Sequence, residues 1–337
     1  FLDFSHSPDP TAAAEQWMRN DAVGEFDIAN GPLFRWALIK TEPSRHLWYQ
    51  AMHHIIVDGY ALSLIAARAA DVYTDLAAGV PVRECPPTSL AAVIDEHARY
   101  AAGPDFAADR EFWLKRLPDR PRIASLATRA SSDTTAFVRE SARISVAEVD
   151  RLRAVARRLR VPWYSVVIAG VAAYLNKVTG LRDIVLGLPV TARLSPVARR
   201  TPAMLTNVAP LCLTVDPALD FDAMVVAAGA ELMAAHGRQR YPYESIIREL
   251  PGLPAGRRQL GPEINVVSFN ANLTFGGAPS TPHNLHAGPV EDLSVNIYDR
   301  PDPSGLLIEF DGNAGLYRPE ELRHHLDRFL DLLRTHS

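Results

Sequence analysis

The sequence predicts an α/β protein with two lobes. Its 337 residues are more than one hydrophobic core usually organises, which favours two domains or lobes. Stretches with the alternation of strands and stretches with the period of helices occur in both halves, and this mixture is typical of α/β layers. The polar, aperiodic stretch PDRPRIASLATRASSD lies between them, so we predict an N-terminal lobe at residues 1–120 and a C-terminal lobe at residues 121–337.

The first lobe is predicted to contain a hairpin and three helices. Phe34, Trp36 and Leu38 alternate along the chain, and a turn at residues 42–45 leads to a second strand. Beyond Gly59 the apolar residues fall at helical spacing. The predicted elements are strands at 34–38 and 47–52 and helices at 59–78, 89–100 and 105–117.

The second lobe repeats this alternation. Ser145 and Glu148 form the pattern of a capping box, which predicts a helix start. The apolar stretch VVIAGVAAYL is too short to cross a membrane and predicts a buried helix. The predicted elements are a strand at 136–144, helices at 145–159 and 162–180, strands at 183–190 and 207–215, a helix at 221–236, a strand at 263–270, a hairpin at 293–310 and a helix at 318–334.

Composition excludes several classes of function. The net charge is -4 without a basic tract, so we expect no nucleic-acid partner. No apolar run approaches the roughly 18 to 20 residues of a membrane span, so we expect no membrane partner. Cys85 and Cys212 lie far apart without metal or redox spacing, which indicates a reduced, cytoplasmic setting.

The first residues, FLDFSHSPDP, do not form a signal peptide. They contain no initiator Met, no basic segment and no apolar segment that would follow it. We expect the chain to begin inside a longer protein.

Two adjacent histidines mark the candidate site. His53 and His54 precede Asp58 and Gly59 in the connection between a predicted strand and a predicted helix, where functional side chains are common. His54 and Asp58 are four residues apart and would share a helical face. A metal site is not favoured, because Gly59 ends such a helix early and no third ligand cluster lies nearby in the sequence. The sequence has no G-x-S-x-G elbow, phosphate loop or dinucleotide fingerprint. The remaining interpretations are a histidine that handles a proton on a substrate with its own nucleophile, or a pair packed in the core.

A second pair, His324 and His325, lies in the last predicted helix. No strand precedes it and no Asp-Gly follows it. We interpret both residues as ordinary surface histidines.

The segment MHHIIVDG resembles the H-H-x-x-x-D-G signature of condensation domains of nonribosomal peptide synthetases, in the chloramphenicol-acetyltransferase-like superfamily. LGLPVTAR is similar to the family's strand end and supplies Arg193, and LTNVAPL is similar to the motif that contains Asn207. RQRYPYES carries Tyr243 where the family has Phe, and EFWLKRL resembles the helix that closes the first lobe. Ala61 stands where many members have Ser. The histidines and Gly59 disfavour cyclisation and epimerisation domains.

The resemblance implies two chloramphenicol-acetyltransferase-like lobes in a V shape with the active site in the cleft between them. The implied reaction joins a donor acyl thioester to the amine of an acceptor aminoacyl thioester. Both arrive on phosphopantetheine arms of carrier proteins, and the domain itself binds no cofactor. We expect an adenylation domain beside it, within a larger chain in which this domain is monomeric. The alternatives are a coenzyme A-dependent acyltransferase of the same fold and a non-catalytic carrier-docking module.

The resemblance also assigns roles to residues. His54 is the implied catalytic residue, and His53, Asp58, Gly59 and Arg193 support the site. Asp58 and Arg193 are expected to form an ion pair, since a buried carboxylate needs a partner. The possible lining residues of the cleft or tunnel are Asn207 and Tyr60.

One departure from the family pattern and one finer resemblance lead to further expectations. The first two family motifs, S-x-A-Q and R-H-E-x-L-R, are absent and would precede Phe1. We therefore expect that about 80 to 100 residues of the first lobe are missing, judged from the size of a whole lobe. WYQAMHHIIVDGYALSL and LGPEINVVSFN resemble condensation domains of catecholate-siderophore synthetases, which implies a role in siderophore biosynthesis.

Overall fold

The computed structural model describes residues 1–117, 122–129, 134, 136–216, 218–249, 260–268, 273–286, 288–299 and 305–336. The elements are, in chain order, β1 (Leu2–Asp3), α1 (Pro10–Ala22), β2 (Phe34–Glu42), β3 (Arg45–Met52), α2 (Gly59–Ala77), α3 (Leu90–Ala101), α4 (Pro104–Arg116), β4 (Phe137–Ile144), α5 (Val146–Leu159), α6 (Tyr164–Thr179), β5 (Asp183–Val190), α7 (Pro196–Arg200), β6 (Asn207–Thr214), α8 (Phe221–Gly237), α9 (Tyr243–Glu249), β7 (Glu263–Val267), β8 (Thr274–Phe275), β9 (Ala278–Pro279), β10 (Leu293–Tyr298), β11 (Leu306–Asn313) and α10 (Pro319–Thr335). The predicted mixed α/β class is confirmed.

Internal contacts divide the chain into two compact units. The first unit comprises Phe1–Thr88, Arg200–Leu205 and Asn272–Gly288, and the second comprises Ser89–Arg199, Thr206–Ala271 and Pro289–Ser337. The predicted boundary between residues 120 and 121 lies outside the described residues. By their contacts α3 and α4 belong to the second unit, because α4 packs on α9 and Trp113 joins the larger core.

The first unit is built on the predicted hairpin. Strands β2 and β3 pair antiparallel, and β1 pairs parallel with β2. Helix α1, which the sequence did not predict, covers one face of this sheet. Its Ala14 and Met18 form a small core with Ile39 and Tyr49. Residues 53–58, called the histidine segment below, follow the end of β3 and precede α2.

The other face of this hairpin carries a row of aromatic side chains. Trp36 is 51% exposed and contacts Trp48 edge-on, with ring centroids 6.0 Å apart. Trp48 contacts Phe275 of the short hairpin formed by β8 and β9, and Phe275 contacts Tyr73 of α2. The row links three separate segments of the first unit through ring contacts.

The second unit contains a six-stranded sheet in the order β4-β11-β10-β7-β5-β6. Strand β7 runs parallel to both β10 and β5, whereas the other neighbours pair antiparallel. Helix α6 is almost completely buried, as its apolar sequence predicts. Gly170 allows α10 to approach α6 closely, since a Cβ there would lie 2.5 Å from the Leu333 side chain.

Polar side chains occupy neighbouring strands of this sheet, a feature that the sequence reading missed. Asp311 is fully buried and accepts two hydrogen bonds from Arg139, at 2.6 and 2.7 Å. Asn296 also donates to Asp311, and Asn265 donates to Asn296. Strand alternation alone identifies such residues as one face of a sheet but does not show that they pair with one another.

The interpretation of His325 as a surface residue is wrong. The His325 ring is half-buried against α6, and its Nδ1 lies 2.8 Å from the Tyr174 hydroxyl. Burial lowers the pKa of His325, and the neighbouring His324 adds to this effect. His324 is exposed, as predicted.

The predicted capping box is confirmed and gives a testable pH dependence. The Glu148 carboxylate accepts hydrogen bonds from the hydroxyl and backbone N–H of Ser145 and from Arg334. These bonds, with the Ser145 hydroxyl first, lower the pKa of Glu148 to about 2. A lowered pKa stabilises the fold at pH values above the ordinary value, and the effect is lost as the pH falls towards 2.

We therefore expect Glu148→Gln to flatten the dependence of unfolding free energy on pH between about 4.5 and 2, relative to the unmodified protein. Urea unfolding across this range measures it. Glu320→Gln, at an exposed residue of α10, is the matched control. Parallel curves for Glu148→Gln and the unmodified protein would contradict the prediction.

Candidate active site

The two histidines lie where the hairpin ends. Strand β3 ends at Met52, and the His53 backbone N–H donates to Leu33 O at 2.9 Å, which continues the pairing by one step. The Ile56 N–H then donates to His53 O and closes a turn. Helix α2 begins at Gly59, so the predicted strand-to-helix connection is confirmed.

Asp58 holds this connection from the inside. Its side chain is buried, with 1% exposed, and one oxygen accepts the Ala61 N–H at 2.8 Å as the N-cap of α2. The other oxygen accepts the Leu205 N–H at 2.9 Å. Backbone N–H groups thus bind both carboxylate oxygens, which fixes the start of α2 and ties residues 200–205 to the histidine segment.

The two imidazoles have different surroundings. His53 is half-buried, and its Nδ1 accepts the Ile55 N–H at 3.1 Å. His54 is exposed. An exposed imidazole beside a rigid helix start can accept a proton from an incoming substrate, whereas His53 is engaged with its own chain. Tyr60 is half-buried in the first turn of α2.

Arg193 follows β5, as the sequence predicts, and is buried with 3% exposed. It leaves the strand through Ala192, whose φ of 50° is unusual for a residue with a side chain. The Ala192 N–H donates to the Gln239 side chain at 3.0 Å, and the Arg193 carbonyl accepts from Arg199. The loop that contains Gln239 therefore supports the turn that carries Arg193.

Asn207 fastens the same loop. Its amide nitrogen donates to the carbonyls of Gln239 and Tyr241, at 3.0 and 2.6 Å, and its amide oxygen accepts the Tyr243 N–H at 3.0 Å. The side-chain amide is thus engaged with backbone groups of the RQRYPYES segment. Its predicted part in lining a cleft stays a prediction.

The predicted site residues fall into two groups. The group in the first unit comprises His53, His54, Asp58, Gly59 and Tyr60, and the group in the second unit comprises Arg193 and Asn207. The predicted pair between Asp58 and Arg193 stays a prediction.

Sequence reasoning missed the partners that hold these residues, above all the Leu205 N–H and Gln239. Gln239 is 8% exposed, and a polar side chain within the R-Q-R-Y-P-Y motif was the available signal. No sequence signal indicated the Leu205 N–H, because every residue other than proline has a backbone N–H.

We expect Gln239→Ala to lower stability by about 1 to 3 kcal/mol, since it leaves the Ala192 N–H and the His236 carbonyl without the bonds that Gln239 makes. The comparison is a thermal melt against Gln16→Ala, an exposed glutamine of α1. Equal melting temperatures for the two variants would show that the Gln239 bonds do not stabilise the turn.

Two further searches concern metals and membranes. Within the described ranges, no group of three or more His, Cys, Asp or Glu side chains is arranged to hold a metal ion. None of the helices in the described part of the chain combines the length and apolar character needed to cross a membrane.

Comparison with protein families gives a match over nearly the whole chain. The condensation-domain model matches residues 1–336. The chain belongs to the condensation-domain family. Condensation domains are the acyltransferases of nonribosomal peptide synthetases that form amide bonds, and the family resemblance predicted from the sequence is confirmed.

Curated relatives of this condensation domain are large synthetases. The chain is 38% identical to a dimodular nonribosomal peptide synthase of Bacillus subtilis, over 100% of its own length and 14% of that protein. It is 41% identical to an isonitrile lipopeptide synthase of Streptomyces coeruleorubidus, over 98% of its length and 22% of that protein. Enterobactin synthase component F of Escherichia coli is 28% identical, with 26% of that protein covered. The chain thus spans less than a third of these relatives.

Solved condensation domains share the fold. A variant of the starter condensation domain of rhizomide synthetase, in complex with C8-CoA, is 37% identical with a TM-score of 0.92, and the match covers 99% of this chain and 76% of that one. The first condensation domain of the calcium-dependent antibiotic synthetase, in complex with a substrate analogue, is 31% identical with a TM-score of 0.87. There the match covers 99% of this chain and 77% of that one.

Proposed function

We propose that this condensation domain joins a donor acyl thioester to the amine of a carrier-bound acceptor aminoacyl thioester, with His54 as the catalytic residue. The contrast in surroundings among the three polar residues of the segment supports the assignment of His54. Asp58 is fixed by two backbone N–H groups and His53 is engaged by the Ile55 N–H, whereas the His54 imidazole is exposed.

The chemistry needs little more than a proton acceptor and good positioning. A thioester is already activated, so amide formation requires the acceptor amine in its neutral form. An α-amine has a pKa of about 8, so part of it arrives protonated at neutral pH. The His54 imidazole takes this proton or holds the amine in line with the thioester carbonyl. The amine nitrogen bonds to the carbonyl carbon and the C–S bond of the thioester breaks. A second proton of the nitrogen goes to the departing sulfur, which leaves as a thiol, and the proton taken from the ammonium passes to solvent.

His53, Asp58, Gly59 and Arg193 are the supporting residues of this proposal, and Asn207 and Tyr60 are its candidate lining residues. The acceptor arrives on the phosphopantetheine arm of a carrier protein, with an adenylation domain in the same synthetase. The cytoplasmic setting indicated by the two distant cysteines is part of the same proposal.

The donor has two candidate sources. The synthetase relatives favour a carrier-bound donor, whereas the rhizomide starter domain was solved with C8-CoA, which favours free acyl-coenzyme A as the second candidate. The catecholate-siderophore subtype rests on the enterobactin match at 28% identity, below the 41% of the lipopeptide synthase. A donor with an aliphatic acyl chain is therefore the stronger proposal. A donor with an aromatic acyl group is the siderophore alternative.

We expect product to form fastest from an acyl-carrier donor and a loaded acceptor carrier. Lys40, Lys115 and Lys177 lie far apart in the sequence, which disfavours a lysine cluster for the phosphates of coenzyme A, although the arginines are more numerous. The measurement is amide formation by mass spectrometry with four donors at equal concentration: C8-acyl or aryl groups, each on a carrier or on coenzyme A. Equal rates with free C8-CoA would move the proposal to the second candidate. No product from any donor would overturn it.

A further inference from the structure

The phenyl ring of Phe26 contacts both an arginine and the first histidine of the histidine segment. The guanidinium carbon of Arg35 is 4.1 Å from the centroid of the Phe26 ring. The Phe26 ring also contacts the His53 ring edge-on, with ring centroids 5.9 Å apart and planes at 90°. Cations are attracted to aromatic faces, and edge-to-face ring pairs are favourable. Phe26 is thus held by Arg35 and restricts the orientation of His53.

Arg35 is itself tightly held. Its Nε donates to the Asp21 carboxylate at 2.9 Å, and its two terminal nitrogens donate to three carbonyls, those of Asp21, Gly24 and Glu25, at 2.7, 3.1 and 3.3 Å. The Tyr49 hydroxyl of β3 donates to the same carboxylate. A planar guanidinium with this many partners has one orientation. It therefore provides a fixed support for Phe26 at the end of α1.

The His53 ring has one further constraint. Because the Ile55 N–H donates to His53 Nδ1, that nitrogen carries a lone pair and the proton of the neutral ring lies on Nε2. Rotation of the ring breaks this bond and leaves the turn to the bond from the Ile56 N–H to His53 O. The edge contact with Phe26 opposes such a rotation.

We propose that Phe26 and Arg35 are positioning residues for the histidine segment. Arg35 orients Phe26, Phe26 orients the His53 ring, and the bond from the Ile55 N–H to that ring fixes the backbone that carries His54. The inference rests on the proposed function, in which His54 needs a defined place beside the acceptor amine. It assigns a purpose to two residues that lie 19 and 28 positions before His54 in the sequence.

The first test is Phe26→Leu in the full-length protein. We expect the turnover rate with saturating donor and acceptor to fall about ten- to a hundredfold, because small displacements of a catalytic group cost that much. The concentrations giving half-maximal rate should stay within twofold, since neither residue is placed at a substrate. Phe26→Tyr keeps the ring and should remain within threefold of the unmodified rate. Arg45→Ala, an exposed arginine of the same hairpin, is the matched control.

A double variant separates positioning from general loss of stability. In a His53→Ala background the ring that Phe26 orients is gone, so adding Phe26→Leu should change the rate less than twofold. Arg35→Lys keeps the charge but not the planar set of bonds, and we expect a rate between those of Phe26→Leu and the unmodified protein. Independent, multiplying effects of Phe26→Leu and His53→Ala would overturn the proposal.

Hydrogen–deuterium exchange gives a readout that does not depend on activity. Phe26→Leu should speed exchange at least fivefold in the peptide covering residues 52–60, and Arg45→Ala should leave it unchanged. Unchanged exchange in Phe26→Leu would overturn the positioning role, even if the protein makes amide product. Faster exchange in a protein that makes no product from any donor would uphold the positioning role and overturn the proposed function alone.

Discussion

Replacing His54 with alanine should lower amide formation by about 10² to 10⁴-fold, the usual contribution of a positioned proton acceptor. The fold should stay intact, because the His54 side chain is exposed and its loss leaves no cavity. The measurements are single-turnover product formation with loaded donor and acceptor carriers and a thermal melt of the same preparation.

The matched control for this variant is His324→Ala, since His324 is also exposed and follows the pattern of a surface residue. It should keep the rate and the melting temperature of the unmodified protein. A His54→Ala rate within a few-fold of the unmodified protein would remove His54 from the mechanism. The non-catalytic docking module would then be the better interpretation.

Asp58→Ala should lower both stability and rate. The variant leaves the N–H groups of Ala61 and Leu205 without the carboxylate that binds them, and we expect a loss of about 1 to 3 kcal/mol in the free energy of unfolding. The rate should fall at least tenfold, because the segment that carries His54 loses its inner attachment. Chemical unfolding and the carrier assay measure the two effects.

Asp9→Ala is the matched control for the capping function. Asp9 caps α1 through the Ala12 N–H, so its loss should cost about 1 kcal/mol without changing the rate. The same experiment tests the predicted ion pair with Arg193. If the two residues meet, Asp58→Ala and Arg193→Ala together should cost much less than the sum of the single variants. Additive effects would show that they act separately.

The sequence was most informative about elements with strong periodicity. The hairpin of β2 and β3, helix α2 and the capping box at Ser145 all follow local rules, and each is present. Helix α1 was missed because Trp17 and Met18 are the large apolar residues of 10–22, and two adjacent residues show no helical repeat. The pairing of β7 with both β5 and β10 was also beyond local rules, since it depends on segments far apart in the chain.

The sequence predicted the residues of the candidate site, but it did not predict the contacts that hold them in place. The order His-His, Asp and Gly after a strand placed His53, His54 and Asp58 in one connection, as the structure does. His53 and His54 differ in side-chain exposure and in hydrogen bonding. Two adjacent residues of the same type do not reveal this difference in the sequence. Phe26 and Arg35 carried no signal, because the contacts of Arg35 with Phe26 and of Phe26 with His53 depend on how the segment after α1 folds against β2 and β3.

The discontinuity of the first unit has a consequence for biosynthesis. Residues 200–205 and 272–288 belong to it, although they are translated long after the hairpin. Domains generally fold as their chain leaves the ribosome, yet Asp58 meets its partner Leu205 only after 147 further residues have been synthesised. The histidine segment therefore gains this attachment long after its own residues have been synthesised. For the same reason, a chimaera that exchanges the first unit between synthetases needs several junctions, since one cut would separate Asp58 from Leu205.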